Sequence, residues 1–466
     1  MKETLCSRAC STRATGLRVV VGLLFVGLSL ADVRSADSWR AGAARTNITP
    51  RGELWMTGYG FRTGPTSAKL QDLWAKALAL EDSAGRRSVL ITADLCGITA
   101  AIASAVAANL ERSAGLPRDR VLFNVSHPHC GPYVEGYAPA LAENPTRDWH
   151  PIVEYRQDLE RRLFRVVSDA LADLAPAHLG WGRGTADFAV NRRNNPEAEI
   201  AALRTAGTLV GPVDHDVPVL SVRDSRNNLK AVVFGYACHN TVLREYAWVG
   251  DYAGFAQAAL EQRHPAAVAL FMSGCGADIN PLPRKQLALA KRYGSQLADA
   301  VDHVLQGETR ALRPAFAAGY KVIQLPYGHI PTQAELTREF YDPKNKAANR
   351  LRARLLLAKL ATDEEIPKAH DYPVQVWRLG GELTLIALGG ETVVDYALRL
   401  KRELGETTWV SGYSNDVMAY IPSERVLREG GYEGATSITA YALPSPWAPG
   451  LEDRIIATVK SLITGL

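Results

Sequence analysis

The densest chemistry in the sequence is the run Ser126-His127-Pro128-His129-Cys130-Gly131-Pro132. Residues i and i+2 of an extended backbone point to one side, and a residue before proline is biased toward that conformation. His127 and His129 are therefore expected to face one cleft and suit a metal, with a pair of structurally bonded loop histidines as the plain alternative. A further histidine, His239, ends the apolar run in Gly235-Tyr236-Ala237-Cys238-His239-Asn240-Thr241. Catalytic zinc usually takes three protein ligands from His, Asp and Glu and keeps one position open for water, so a distant HxH gives His239 added weight. Leu388-Gly389-Gly390-Glu391-Thr392 brings a carboxylate, expected at a helix N-terminus, where simple capping is a sufficient reason for it. In the glycine-rich turn Gly274-Cys275-Gly276-Ala277-Asp278-Ile279-Asn280-Pro281, Asp278 and Asn280 offer polar contacts or an Asx turn. Tyr413, Tyr420 and Tyr432 lie in three later clusters and read equally as packing or as polar site residues.

These clusters follow apolar runs that must position them. The patterning predicts strands over 88–94, 120–126, 218–222, 231–237, 267–271, 320–325 and 383–388, and helices over 100–114, 152–174, 254–263 and 286–305. The alternation is α/β: a mixed β-sheet core flanked by helices, in one large domain, since no repeat or low-complexity linker divides the chain. The clusters fall at strand ends, where open sheets bind ligands. The polar stretch 332–369 reads as a solvated helical insertion.

Composition narrows the class. With 466 residues, 47% hydrophobic and 22% charged, the chain is an ordinary globular one. Much of the formal charge of +4 sits in residues 1–31, where Lys2, Arg8, Arg13 and Arg18 are set against Glu3 alone. The remainder is close to neutral, which disfavours a nucleic-acid partner. That leader, with its apolar run 19–30, is expected to be a signal peptide cut after Ala31 or as late as Ser35, the alternative being an uncleaved anchor. Export to the periplasm or beyond is the corresponding expectation. Cys96, Cys130, Cys238 and Cys275 remain after it; they permit disulfides or serve as small buried residues. No GxSxG, GxGxxG or GxxxxGK[ST] motif occurs, so a serine elbow and a nucleotide loop lack support.

Taken in order, the motifs resemble the catalytic domain of the neutral/alkaline ceramidases over about 41–454. Ala44-Arg45-Thr46-Asn47-Ile48-Thr49-Pro50, Met56-Thr57-Gly58-Tyr59-Gly60, the HPH run, Asn191-Arg192-Arg193, the His239 cluster, Gly390-Glu391-Thr392, Gly412-Tyr413-Ser414-Asn415 and Tyr432-Glu433-Gly434 carry the likeness. The resemblance implies a zinc amidase over residues 41–466, with Zn2+ held by His127, His239, Glu391 and Tyr420. It implies His129 as a proton-transfer residue and Arg192 as a substrate contact, with Asp278 and Asn280 completing the catalytic turn. The expected activity is hydrolysis of an amide in a ceramide-like or other N-acyl substrate by metal-activated water, a step of sphingolipid or other lipid metabolism. The expected partners are a small-molecule or lipid substrate and a membrane met only peripherally.

Two departures qualify this. The family turn GDxSPN reads Ala277-Asp278-Ile279-Asn280-Pro281-Leu282 here, so a serine given a nucleophilic or substrate-binding role is Asn280. A carboxamide cannot be that nucleophile; Asn280 then orients substrate or stabilises an oxyanion, or the chain is an inactive relative. The second departure is the β-sandwich domain that characterised ceramidases carry after this region, which is expected to be lacking. A non-catalytic lipid- or glycan-binding relative and an esterase are the competing functions.

Overall fold

In the computed structural model, which describes residues 38–142, 148–362 and 364–466, the apolar runs Arg87–Ala93 and Val121–Val125 pair as parallel strands. The crossover between them is the helix Ala100–Ala114, which buries Ile102, Val106 and Leu110 on one face. Thr99 starts it by accepting from the Ile102 amide, and Gly115 stops it in the left-handed conformation. The leader expected to be a signal peptide lies outside the described residues. From Ser38 on the chain forms one unit.

A nine-stranded sheet organises that unit. Its main order is Val268–Ser273, Leu229–Tyr236, Asp216–Asp224, Ala175–Thr185, Trp39–Asn47, Trp74–Glu81, Arg87–Ala93, Val121–Val125, parallel only within the two edge pairs. Twist of roughly 20–25° per strand step accumulates across such a sheet and curls it. The two edge strands consequently meet at their C-terminal ends. There the Ser273 amide donates to Asn124 Oδ1 at 2.8 Å and the Ser273 hydroxyl to Val125 O at 2.8 Å.

A second sheet, Phe316–Pro326, Ala369–Leu379, Leu383–Leu388 and Thr408–Ser411, packs against one face of the first. Trp181 stacks on Trp409 between them, amid buried Leu78, Leu220, Leu270, Met272 and Leu385. Helices His150–Ala172, Asp251–Arg263 and Leu287–Gln306 cover the opposite face with Leu159, Leu163, Leu260, Leu297 and Val301. Asn124 also joins the sheets, its Nδ2 donating to Ser411 Oγ and Gly412 O at 2.9 Å each.

The insertion in the second sheet is less solvated than its composition suggests. It forms two helices, Gln333–Tyr341 and Ala347–Ala361, with a small core of Leu336, Ala353, Leu356 and Ile366. Among the described residues no helix is long and apolar enough to cross a membrane. All four described cysteines are buried free thiols, as small core residues rather than disulfides.

Replacing Asn124 by leucine should orphan the Ser273 amide and take from Ser411 Oγ of the second sheet its donor. The expected loss is about 1–3 kcal/mol for each group left buried and unbonded, read as a lower urea midpoint. A variant with the parent's midpoint would show that Asn124 does not bridge the sheets.

Candidate metal centre

The curled sheet brings three strand ends to one place. His127 and His129 follow the edge strand Val121–Val125, His239 follows Leu229–Tyr236, and the 274–280 turn follows the other edge strand, Val268–Ser273. Glu391 follows the second-sheet strand Leu383–Leu388. It was expected at a helix N-terminus, but it sits in the two-residue strand Glu391–Thr392, and the helix begins at Val394. The carboxylate that receives that helix's first amide is Asp278, whose Oδ1 accepts from Val394 N at 2.9 Å. Glu391 is thus free to face inward. Its strand pairs in parallel with Tyr420–Ile421 so that Glu391 and Tyr420 are register partners. Gly390, with φ of 71°, makes this turn; a Cβ there would lie 2.5 Å from Ile421 Cγ1.

His127 is not extended, as its position before Pro128 led one to expect, but left-handed, with φ of 60°. Two bonds to the 95–96 loop over-determine it: the His127 amide donates to Leu95 O at 3.0 Å, and the ring Nδ1 meets Cys96 O. His239 Nδ1 likewise lies 2.9 Å from Gly276 O. A carbonyl only accepts, so both Nδ1 atoms carry a proton and the Nε2 atoms are left to face inward. Both converge on a carboxylate. His127 Nε2 and His239 Nε2 are each 3.3 Å from Glu391 Oε2, which is buried without any hydrogen-bond donor.

Against their own burial, the Glu391 carboxyl is held well below the usual carboxylate range by His127 and His239, and His127 is held well above the ordinary histidine range by Cys96 and Glu391. A proton on His127 Nε2 and a divalent cation are therefore rivals for the same place. His239 is pushed down to about 4, chiefly by burial and then by Arg192. Two imidazole nitrogens and an anionic oxygen, all within 4.8 Å of one another, are the donor set of a divalent transition metal. The orphaned Oε2 is where a cation fits. Tyr420 OH, 3.3 Å from His239 Nε2, is a fourth donor atom at the cluster.

The remaining expected residues fall around this core. His129 Nε2 lies 3.1 Å from His127 Nε2, while its buried Nδ1 has no partner. Burial and the other two imidazoles hold His129 well below the ordinary histidine range, so it is neutral. Gly58 lets its ring approach: a Cβ there would lie 2.5 Å from His129 Cγ. Arg192 donates from Nε to Glu433 at 2.8 Å, from Nη1 to Asn280 Oδ1 at 3.3 Å and from Nη2 to Tyr420 OH at 3.3 Å. Asn280 Nδ2 has no partner among the described residues, and the side chain lines a cavity of about 480 Å³ with Arg192, Arg193, Arg284 and Tyr432. Asp278 is fully buried and both its oxygens are engaged, Oδ2 by Asn191 Nδ2 at 3.2 Å.

Three residues close to the centre carried no assigned role in the sequence. Tyr413 packs on His127 with ring centroids 4.6 Å apart. Its buried hydroxyl has no partner. Glu433 binds both Arg192 and Arg193. Tyr441 donates to Glu391 Oε1. The first two lay inside motifs already singled out; nothing in Ile438-Thr439-Ala440-Tyr441 marks the third.

The structure is thus a mixed α/β body with a buried His-His-Glu cluster, able to hold a metal, at its converging strand ends. More narrowly, the chain belongs to the neutral/alkaline non-lysosomal ceramidase family, whose N-terminal domain profile matches residues 39–279. The fold is similar to that of neutral ceramidase from Pseudomonas aeruginosa, at TM-score 0.68 and 19% identity over 91% of this chain and 75% of that one. It is equally similar to a ceramidase complexed with C2, at TM-score 0.69 and 18% identity with the same coverage. At such identities the likeness is one of fold. No curated protein sequence matches.

The purified protein should retain a divalent ion through gel filtration. His239→Ala should weaken its binding by more than the ~10–100-fold typical of an outer-shell partner, measured by metal analysis and chelator competition. Parent-like binding in that variant would remove His239 from the centre.

Proposed function

We propose that the protein is an exported, zinc-dependent hydrolase of the amide bond in ceramide-like N-acyl substrates. Its family is that of a hydrolase acting on such a bond. The observation that carries the zinc reading is the meeting of two imidazole Nε2 atoms and a carboxylate oxygen, with both Nδ1 atoms already turned onto backbone carbonyls. His127, His239, Glu391 and Tyr420 would hold the ion, whose chemistry there is Lewis acidity toward an amide carbonyl and toward water.

The chain's own groups divide the rest of the work. His129, neutral and with a free Nδ1, takes the proton released as water adds to the carbonyl and returns it to the leaving nitrogen when the C–N bond breaks. Arg192 is held by Glu433 and Asn280 and keeps N–H bonds for a substrate oxygen. Asn280 offers its unused Nδ2 to the oxygen that gains charge, a role open to a carboxamide although nucleophilic attack is not. Asp278 acts at a distance, fastening the Asn280 turn to the Val394 helix.

Two surfaces suit the two ends of such a substrate. The cavity beside Arg192 is lined by Arg193, Glu197, Arg284, Glu429 and Glu433, which suits hydroxyls or another polar headgroup. Tyr59 packs edge-on against His129 and stacks on the exposed Phe61, a strip suited to an acyl chain. Asn280 in the serine position keeps a second reading in play, a relative that binds the lipid and the metal without turnover.

Matched N-acyl and O-acyl substrates, assayed with the metal removed and restored, should show amide cleavage that is lost on chelation and recovered with zinc. Arg192→Ala should lower kcat/KM roughly 100-fold when assayed at saturating zinc. Metal-loaded protein that turns over none of the panel would favour the binding relative, and esters preferred over amides would favour the esterase.

A further inference from the structure

Glu391 holds its two oxygens in different company. Oε2 faces the imidazoles and has no donor, whereas Oε1 accepts from the Tyr441 hydroxyl. Tyr441 ends the short helix Ile438–Tyr441, and Ala442 turns the chain away in the left-handed conformation. On its other side the Tyr441 hydroxyl lies 3.5 Å from that of Tyr137, and Tyr137 OH lies 3.6 Å from Cys96 Sγ. The Cys96 carbonyl is the one that orients His127. A closed circuit of contacts therefore leaves one metal-facing residue and returns to another.

The segment just after Tyr441 is held by the helical insertion. Arg352, on the helix Ala347–Ala361, donates from Nε to Leu443 O at 2.8 Å and from Nη2 to Pro444 O at 2.6 Å. Its Nη1 meets both oxygens of Glu339, at 2.9 Å each, on the neighbouring helix. The guanidinium is buried, and its planar fork fixes direction as well as distance. The two carbonyls it holds lie two and three residues beyond Tyr441.

We propose that Tyr441 is a positioning residue that fixes the Glu391 carboxylate and thereby sets the affinity of the centre for its divalent ion, with Arg352 holding Tyr441 in place. The inference rests on the zinc reading above. Without the phenol, Oε1 becomes a second buried anionic oxygen lacking a donor, and the carboxylate is free to turn about its last torsion. The insertion is then a brace for the centre rather than a solvated appendage.

The test measures zinc affinity by competition with a chromophoric chelator, and the d–d absorption of the cobalt(II) form, on the full chain. Tyr441→Phe should bind zinc about 10–100-fold more weakly with altered cobalt bands, and kcat should recover as zinc is raised to saturation. Arg352→Lys, which keeps the charge and loses the fork, should move both readouts the same way by a smaller factor. Arg352→Met repeats the comparison without the charge, and the lysine variant decides should it fail to fold. Parent-like zinc affinity and cobalt bands in Tyr441→Phe would overturn the proposal. If only the Arg352 variants are unmoved, the brace is overturned while the role of Tyr441 stands. A parent protein that binds no zinc overturns the underlying reading, and the inference with it.

Discussion

Two imidazole Nε2 atoms and a carboxylate oxygen point at one another inside the protein, and their need for a positive charge between them is the constraint that the surrounding structure serves. Each group alone would turn toward a donor. Each is prevented from doing so: His127 and His239 are tied through Nδ1 to the carbonyls of Cys96 and Gly276, and Glu391 through Oε1 to Tyr441. The arrangement is costly in a medium of low dielectric, where an unpaired polar group loses its hydration without return. A divalent cation removes that cost. The strained His127 backbone belongs to the same logic, because a left-handed residue before proline persists only where its neighbours dictate it.

The large sheet supplies convergence. His127 and His239 leave strands far apart in the sheet order, and only curling brings the edge strands together at Asn124 and Ser273. A separate two-stranded pair just beyond the second sheet then contributes Glu391 and Tyr420 as parallel register partners, so one pairing fixes two side chains at once. Asn124, bonded into both sheets, holds these two halves of the centre at a set distance.

Much of this was legible in the sequence because apolar runs ending in glycine, histidine or proline are local signals. The helix 100–114 and the strand 383–388 coincide with the observed elements, and other strands differ at their ends. His127, His239, Glu391 and Tyr420 were readable as a set only through the family resemblance, since the sheet curl that unites them has no local signature. Long-range contacts overrode local rules at two points. The extended bias before Pro128 yielded to hydrogen bonds from a loop some thirty residues earlier in the chain. The helix-capping reading of Glu391 failed because Asp278, more than a hundred residues away, takes that role. The insertion misled for a similar reason: its composition is that of an exposed helix, while the burial of Arg352 depends on carbonyls from the 443–444 segment.

Substrate choice is the least local property of all. Arg192 is oriented by Glu433 from one side and Asn280 from the other, and it also touches Tyr420, so the substrate wall and the metal-facing tyrosine share one guanidinium. A change at position 280 therefore acts twice, once on what the oxyanion meets and once on the direction in which Arg192 points. A serine there would have a shorter reach toward Arg192 and would free a guanidinium N–H; asparagine occupies that N–H and presents its own amide instead. The substitution thus exchanges a nucleophile for a donor while the charge around it stays the same. On the proposed attack by water, such an exchange spares the attacking group and acts first on the headgroups that the site would accept.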